Sequence, residues 1–266
     1  MTSDSAGSIR TIAEAVDREL RNRGTRDRAE KEKSYLKSEL THYGVSVPDT
    51  RSVVRAALRG AELGPDDAID LAQHLWAAPA AGGDPAGTAK PDNVGSAEQP
   101  SPVHERRAAA TMVLIHTQDH LGAGDAEVIE RFLREAKTWA LADPLAGDLV
   151  GPLSEQDSGF DPVLERWATD EDFWIRRSAL LAHLRPLRAG RGDFDRFSRF
   201  ADAMLEEKEF FIRKAIGWVL RDTAKRRPDL VFDWILPRAH RASGVTIREV
   251  VKPLTEEQRA AILAAR

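Results

Sequence analysis

The sequence predicts an all-α fold, built as a curved α-solenoid of stacked helix pairs. Alanine and leucine recur along the 266 residues at helical spacing, whereas the β-branched alternation that is typical of strands is nearly absent. Similar helix starts also recur at a regular interval, which is typical of solenoids. We therefore expect a single domain over residues 1–266, with about six helix pairs and a concave groove along one side.

The repeat is visible in the segments "HERRAAATMVL", "WIRRSALLAHL" and "FIRKAIGWVL", whose first arginines are Arg106, Arg176 and Arg213. In each segment Arg is followed by Arg or Lys and then by small and aliphatic residues. The spacing fits a period of 35–37 residues if one step falls at Leu141, inside "TWALADPLAGDLV". A further step ends at Arg248 in "TIREVVKPL". This period, with two helices per unit, indicates short HEAT-like repeats.

One stretch, residues 78–102, breaks the helical pattern. It is rich in Ala, Gly, Pro and Asp and has no aromatic residue, so it cannot pack a core. Helical patterning resumes directly after it at "VHERRAAATMVLIH". We expect a flexible insertion within a loop rather than a domain boundary.

Composition excludes several classes of protein. No apolar run approaches the roughly 18 residues of a membrane span, and the N-terminus lacks the apolar core of a secretory signal. The absence of cysteine excludes disulfides, thiol nucleophiles and thiolate metal sites. His116 and His120 form an H-x-x-x-H pair without the internal glutamate of a zinc-protease helix, and neither a Gly-rich phosphate loop nor G-x-S-x-G is present. We expect a cytoplasmic protein with no metal, cofactor or membrane contact.

Charge is unevenly distributed along the chain. The net charge is −4, yet residues 174–227 hold 14 Lys and Arg against 7 Asp and Glu, a local charge of +7. The remaining residues carry 25 basic against 36 acidic side chains. A basic block in an acidic chain indicates an anionic partner at that block, such as a nucleic acid.

The segment "EFFIRKAIGWVLRDTAKRR", residues 209–227, predicts a helix with two faces. A buried stripe is expected at Ile212, Ala215, Ile216, Val219 and Thr223.

The second face of this helix carries Lys214, Trp218, Arg221 and Lys225. A Trp among cations either caps a surface or binds an anionic, partly apolar ligand. In the repeat register this helix is the second of its pair, and second helices line the concave side of a solenoid. The register therefore favours a binding face, on which the cations hold phosphates while the Trp ring contacts a nucleotide.

A carboxylate and an aromatic residue occur together in "WALAD". Trp139 and Asp143 are four residues apart and share a helix face. Two alternatives stay open: Asp143 ends a turn before Pro144, since the residue before proline disfavours helix, and Asp148 is a competing carboxylate.

Together these segments resemble one family. Trp139-x-x-x-Asp143, "WIRRSALL", "FFIRKAIGWVLR" and "REVVK" are similar to the DNA alkylation-repair glycosylases of the AlkD-like, HEAT-repeat type. The N-terminal "SYLKSELTHYGVSVPDTR" is also similar to that family. The resemblance covers roughly residues 30–255, interrupted by the insertion. The sequence departs from the family at Ala140–Ala142, which is less polar than expected, and in the insertion.

The resemblance implies a monomeric, monofunctional glycosylase that needs no cofactor and removes cationic alkylpurines from duplex DNA in an open groove, without a deep base-flipping pocket. Asp143 would be the catalytic carboxylate. The implied DNA contacts are Trp139, Trp218, the phosphate-binding Arg177 and, less directly, Tyr35. The repeat register leaves open whether Arg176 or Arg177 points into the groove.

The chemistry agrees with the residues. An alkylated purine is already a cationic leaving group, so cleavage needs no general acid, and one carboxylate can stabilise the oxocarbenium-like transition state. Two other functions remain open: a non-catalytic HEAT scaffold for protein partners, and a DNA-binding relative that recognises branched or damaged DNA without cutting the glycosidic bond.

Overall fold

The computed structural model describes residues 3–61, 63–79 and 101–266, and most residues in these ranges are helical. The only strand-like pairing in the described ranges is an isolated parallel bridge between Thr41 and Val103. The all-α prediction is therefore confirmed. The chain divides into two compact units, residues 1–120 and 121–266.

The first unit contains five α-helices in its described residues. They are α1 (Ser3–Arg23), α2 (Arg26–Leu36), α3 (Val47–Leu58), α4 (Pro65–Trp76) and α5 (His104–His116). A short 3-10 helix, Gln118–His120, follows α5. Apolar residues of α1, α3, α4 and α5 form the core of this unit, whereas α2 buries no residue.

The second unit contains eleven α-helices. They are α6 (Ala126–Ala136), α7 (Trp139–Asp143), α8 (Gly151–Gln156), α9 (Phe160–Ala168), α10 (Phe173–Leu181), α11 (Leu184–Arg188), α12 (Phe194–Ala203), α13 (Phe210–Ala224), α14 (Pro228–Ile235), α15 (Gly244–Val250) and α16 (Glu256–Ala264). Short 3-10 helices at Ala123–Asp125 and Leu236–Arg238 lie before α6 and after α14. The largest buried side chains of this unit, Phe132, Phe160, Trp167 and Phe197, lie on α6, α9 and α12.

The predicted repeat register coincides with helix starts. Arg106, Leu141, Arg176, Arg213 and Arg248 each lie at the third to fifth residue of α5, α7, α10, α13 or α15. In the second unit, first helices of the repeats also recur regularly, since α6, α9, α12 and α14 begin at residues 126, 160, 194 and 228.

Ion pairs between neighbouring repeats have the same period. On the first helices and the turns after them, Arg134 binds Asp170, Arg199 binds Glu165 and Arg241 binds Glu206, at sequence separations of 36, 34 and 35 residues. On the second helices, Arg177 binds Asp143 and Lys214 binds Glu249, at separations of 34 and 35. Each repeat therefore contacts the next through equivalent positions, as expected for a solenoid.

The second helix of the repeat at Leu141 is broken. Helix α7 spans only Trp139–Asp143, and a π-helical segment, Pro144–Val150, connects it to α8. Pro144 has no amide hydrogen to donate to the preceding turn. Asp143 nevertheless keeps helical backbone angles, φ −65° and ψ −46°. The α-helix thus ends at Asp143, as expected from Pro144, but the chain continues as a π-helix.

The predicted insertion lies between α4 and α5, and its residues 80–100 are outside the described residues. The flanking helices pack against each other. Arg106 donates a hydrogen bond to the His74 carbonyl at 2.6 Å, and Arg107 donates one to the Trp76 carbonyl at 3.3 Å. In the described ranges, no helix combines the length and the apolar character that crossing a membrane requires.

Candidate functional site

Helix α13 has the two faces that its sequence predicts. The predicted core stripe, from Ile212 to Thr223, is fully buried. Trp218 is half-buried, and the side chains of Lys214 and Lys225 are 41% and 55% exposed. The Trp and its cations therefore lie at the surface of the second unit.

The cations of this face are paired with carboxylates, which the sequence analysis missed. Glu249 of α15 accepts hydrogen bonds from Lys214 at 2.6 Å, from Lys252 at 2.9 Å and from Arg221. We call these four residues the Glu249 cluster. Three cations around one carboxylate leave an excess of positive charge beside Trp218.

Asp222 forms a second carboxylate centre on the same helix. Its side chain is 2% exposed and pairs with Arg188, with Arg221 at 3.4 Å and with Lys225 at 2.8 Å. Burial by itself would raise the pKa of Asp222, but the hydrogen bonds from Lys225 and Arg188 lower it. Both centres hold the long basic side chains of α13 in fixed positions.

The pKa of Glu249 reflects the surrounding cations. Burial by itself would raise this pKa, but hydrogen bonds from Lys214 and Lys252 and the charge of Arg221 lower it to about 2. Glu249 is therefore ionised at neutral pH, and the cluster carries a net charge of about +2.

A glycine permits the contact between α13 and α15. A Cβ atom at Gly217 would lie 2.9 Å from the Glu249 Cβ and 3.2 Å from the Thr246 Cα. Thr246 also donates a hydrogen bond to the Arg213 carbonyl at 3.1 Å. Because residue 217 lacks a side chain, α15 comes close enough for Glu249 to reach the cations next to Trp218.

Asp143 forms a bidentate ion pair with Arg177. Arg177 Nε donates to Asp143 Oδ1 at 2.8 Å, and a terminal guanidinium nitrogen donates to Oδ2 at 2.7 Å. The two side chains are only 12% and 3% exposed. A bidentate pair of this kind fixes the orientation of the carboxylate as well as its position.

The other contacts of Arg177 come from α13. Its second terminal nitrogen donates to the Phe211 carbonyl, and its guanidinium carbon lies 5.7 Å from the centre of the Phe211 ring. The phosphate contact that the resemblance implies for Arg177 stays a prediction. The contacts with Asp143 and Phe211 use three of the five N–H donors of this guanidinium.

Arg176 points elsewhere. It binds Glu207 through two hydrogen bonds of 3.0 and 2.8 Å and donates to the carbonyls of Asp170 and Glu171 at 2.6 and 2.9 Å. Of the two adjacent arginines, the structure thus places Arg177 against Asp143 and uses Arg176 to connect neighbouring loops.

The remaining candidates on α7 and the π-helical segment differ in exposure. Trp139, the first residue of α7, is 36% exposed. Asp148 pairs with Arg185 at 2.7 Å, and these two side chains are 43% and 48% exposed. Asp143 is therefore the more buried and the more firmly held of the two competing carboxylates.

Side-chain caps fix the helices that carry these residues. Thr138 accepts a hydrogen bond from the Ala140 amide at the start of α7, and Asp172 accepts one from the Trp174 amide at the start of α10. Glu209 and Ser243 cap α13 and α15 in the same way. Such caps stabilise a helix end by about 1 kcal/mol each.

Aromatic residues at the start of α13 were not among the predicted site residues. Phe210 is 54% exposed and lies edge-on to Phe211, with ring centres 5.5 Å apart. Phe211 in turn packs on Trp174 at 4.9 Å. On the helical wheel Phe210 lies roughly 80° from Trp218, on the side of the basic residues. The helical periodicity that placed Trp218 on the exposed face therefore also predicts that Phe210 is exposed.

Tyr35 lies in the first unit, on α2, and is 74% exposed. It is available at the surface of that unit. Its predicted contact with DNA stays a prediction.

Comparisons with known proteins agree on one family. The sequence model of a family described as "DNA alkylation repair enzyme" matches residues 16–82 and 99–254. The fold is similar to the solved structure of a predicted DNA alkylation repair enzyme from Enterococcus faecalis, with a TM-score of 0.70 and 17% sequence identity. That match covers 88% of this chain and 98% of the other. No curated protein matches the sequence.

Proposed function

The chain belongs to the DNA alkylation repair enzyme family, and we propose that within it this protein is a DNA glycosylase. Its role is in DNA repair. The proposed reaction is hydrolysis of the N-glycosidic bond of cationic alkylated purines in duplex DNA. The observation that carries the proposal is the fixed orientation of one carboxylate, that of Asp143, by Arg177. Asp143 lies on α7, which begins with the exposed Trp139.

A single carboxylate suffices for this chemistry. Water adds to C1′ of the deoxyribose while the bond between C1′ and the purine nitrogen breaks. The electron pair of that bond neutralises the cationic base, and a proton of the water passes to solvent. The transition state resembles an oxocarbenium ion, which Asp143 stabilises by its negative charge while it orients the water.

The geometry of Asp143 is compatible with this role. An ionised carboxylate has about four lone-pair sites, and Arg177 uses two of them. The remaining two can accept a hydrogen bond from water and face the positive charge that develops on the sugar. Arg177 is then a positioning residue, since it acts through Asp143 and does not itself touch the reacting atoms.

The Glu249 cluster and Trp218 supply the binding surface in this proposal. The excess positive charge of the cluster attracts phosphates, and the half-buried Trp ring contacts the sugar edge of the damaged nucleotide. Trp139 contacts the same nucleotide from α7. An exposed site of this kind tolerates bulky adducts, because the base does not have to enter a closed pocket.

The test is a release assay. Duplex DNA methylated on its purines is incubated with the protein, and free methylpurine is measured chromatographically beside an undamaged duplex of the same sequence. The proposal expects release of methylated bases, with abasic sites left in the duplex. Binding of the methylated duplex without release would instead indicate a non-catalytic relative that recognises damage, and an absence of binding would indicate a protein scaffold.

A further inference from the structure

A group of potential metal ligands lies in the first unit, outside the site described above. Glu32 of α2, His42 and Glu105 of α5 each direct one ligand atom to the same place, and these atoms all lie within 4.8 Å of one another. Glu32 and His42 are half-buried, and Glu105 is 1% exposed. These three residues are far apart along the chain, so no local spacing pattern reveals the group.

Among the described residues, neither ring nitrogen of His42 has a hydrogen-bond partner. Both Nδ1 and Nε2 are buried without a hydrogen bond, although buried polar atoms are usually bonded. The ring stacks on His104, with centres 4.6 Å apart and planes 10° apart.

Backbone contacts fix His42 beside α5. Thr41 pairs with Val103 in the isolated bridge, and the His104 amide donates to the Thr41 carbonyl at 2.9 Å. The imidazole is therefore held next to the Glu105 carboxylate by the chain on both sides, which is the kind of rigid placement that metal ligands need.

Both carboxylates retain capacity to bind an ion. Glu105 accepts the amides of Gly44 and Val45 at one oxygen and, within the described part of the chain, only the amide of Tyr43 at the other. One lone-pair site of that second oxygen is thus free. Glu32 pairs with Arg28 through one oxygen, at 2.6 Å, and its other oxygen is not used by this ion pair.

We propose that Glu32, His42 and Glu105 form a binding site for a divalent transition-metal ion of the Zn²⁺ type. One imidazole and two carboxylates are ligands that this class of ion accepts, and three protein ligands leave a fourth position for water. Tetrahedral Zn²⁺ holds its ligand atoms roughly 3.3–3.6 Å apart, given bonds of about 2.0–2.2 Å. Glu32 can move towards the other two ligands, since it lies on a helix with no buried residue.

The site belongs to the first unit, whereas the Asp143–Arg177 pair belongs to the second, and no step of the proposed hydrolysis uses it. Its effect is structural: a bound ion ties α2, which has no buried residue, to α5. Metal binding should therefore stabilise the first unit.

Cobalt binding tests this proposal. The full chain, purified without a histidine tag, is titrated with Co²⁺ while the visible absorption of the bound ion is recorded, and Zn²⁺ is then added as a competitor. We expect saturation at one equivalent, displacement by Zn²⁺ and a rise in melting temperature. Glu32→Gln should weaken the affinity at least tenfold without unfolding the protein, because residue 32 is not part of the core.

Two controls make the result specific. Glu30 pairs with Arg26 at 2.8 Å on the same helix, as Glu32 pairs with Arg28. Glu30→Gln therefore removes an equivalent ion pair and should leave the metal affinity unchanged. His116→Ala breaks up the H-x-x-x-H pair of His116 and His120 and should also leave the metal affinity unchanged. The proposal is overturned if no saturable absorption appears, if Glu32→Gln binds like the wild type, or if His116→Ala abolishes binding.

Discussion

The Asp143–Arg177 pair and the Glu249 cluster are built from the same repeat spacing, yet they differ in charge balance and exposure. The first region matches one carboxylate with one guanidinium, and both side chains are nearly buried. The second gathers three cations around one carboxylate, and two of them, Lys214 and Lys252, are 41% and 55% exposed. A neutral, buried pair orients a reacting group, whereas an exposed cluster with excess positive charge attracts an anionic backbone.

In the proposed function, this difference gives separate tasks to the contact between α7 and α10 and to the contact between α13 and α15. Substitutions at Asp143 or Arg177 should change the chemical step and the stability of the fold. Substitutions in the Glu249 cluster or at Trp218 should change the affinity for DNA. The predictions below test whether the two regions are separable in this way.

The largest expected effect concerns stability. Arg177→Leu leaves the Asp143 carboxylate buried without its partner, and breaking a buried pair on one side costs about 3–5 kcal/mol. Arg185→Leu breaks the exposed pair with Asp148 and should cost about 1 kcal/mol or less. Urea unfolding followed by circular dichroism at pH 7 measures both. Equal losses in the two variants would show that the burial of the Asp143–Arg177 pair has no energetic consequence.

Removing the aromatic ring beside the cluster should affect recognition of the damaged nucleotide. Trp218→Ala should weaken binding of a duplex with a methylated purine, but by less than the ~1–3 kcal/mol of an aromatic ring stacked on a base, because the ring contacts the sugar edge. Its affinity for an undamaged duplex should change much less. Fluorescence anisotropy with both duplexes provides the comparison, and an equal loss for both would mean that the ring contributes only general affinity.

Changing the carboxylate of the cluster should strengthen electrostatic binding. Glu249→Gln frees the positive charge of Lys214, Arg221 and Lys252 for phosphates, so affinity for undamaged duplex should rise at low salt. The slope of log K against log salt concentration should become steeper by about one. Glu206→Gln, an exposed carboxylate that pairs with Arg241, is the matched control and should leave the slope unchanged. The same slope in all three proteins would mean that the cluster does not face DNA.

The smallest effect is a change in acid stability. The pKa of Glu249 is about 2 in the folded protein and ordinarily about 4.5, so its contribution to stability is complete above pH 4.5 and is lost as the pH falls towards 2. The difference in unfolding free energy between wild type and Glu249→Gln should therefore shrink from pH 5 to pH 3. Urea unfolding of both proteins across this range measures it, and a constant difference would contradict the ion pairing of Glu249.

The helical fold and its repeat register could be predicted from the sequence because both depend on periodicity. The step at Leu141 was placed without any Arg at that position, and α7 begins where the period requires. The two faces of α13 were predicted for the same reason, since burial on a helix follows its angular period.

Contacts between repeats could not be predicted to the residue. A repeat period known to within two residues identifies which helices are neighbours. It does not identify which side chains face each other, because consecutive residues point about 100° apart around a helix. Arg176 and Arg177 therefore could not be distinguished, and the carboxylates of Glu249 and Asp222 were missed. The π-helical segment Pro144–Val150 was not predicted either.

The central claim is that Asp143 acts in the chemical step, and single-turnover release of methylpurine at saturating protein tests it most directly. Asp143→Asn keeps the shape of the side chain and removes its charge, whereas Asp148→Asn makes the same change in the exposed carboxylate five residues away. Both variants are first compared with the wild type by circular dichroism, because Arg177 loses its buried counter-charge in the first. We predict that Asp143→Asn slows release at least tenfold, about 1.4 kcal/mol or more, while Asp148→Asn and Glu249→Gln release at nearly the wild-type rate. Release by folded Asp143→Asn at the wild-type rate would contradict the claim.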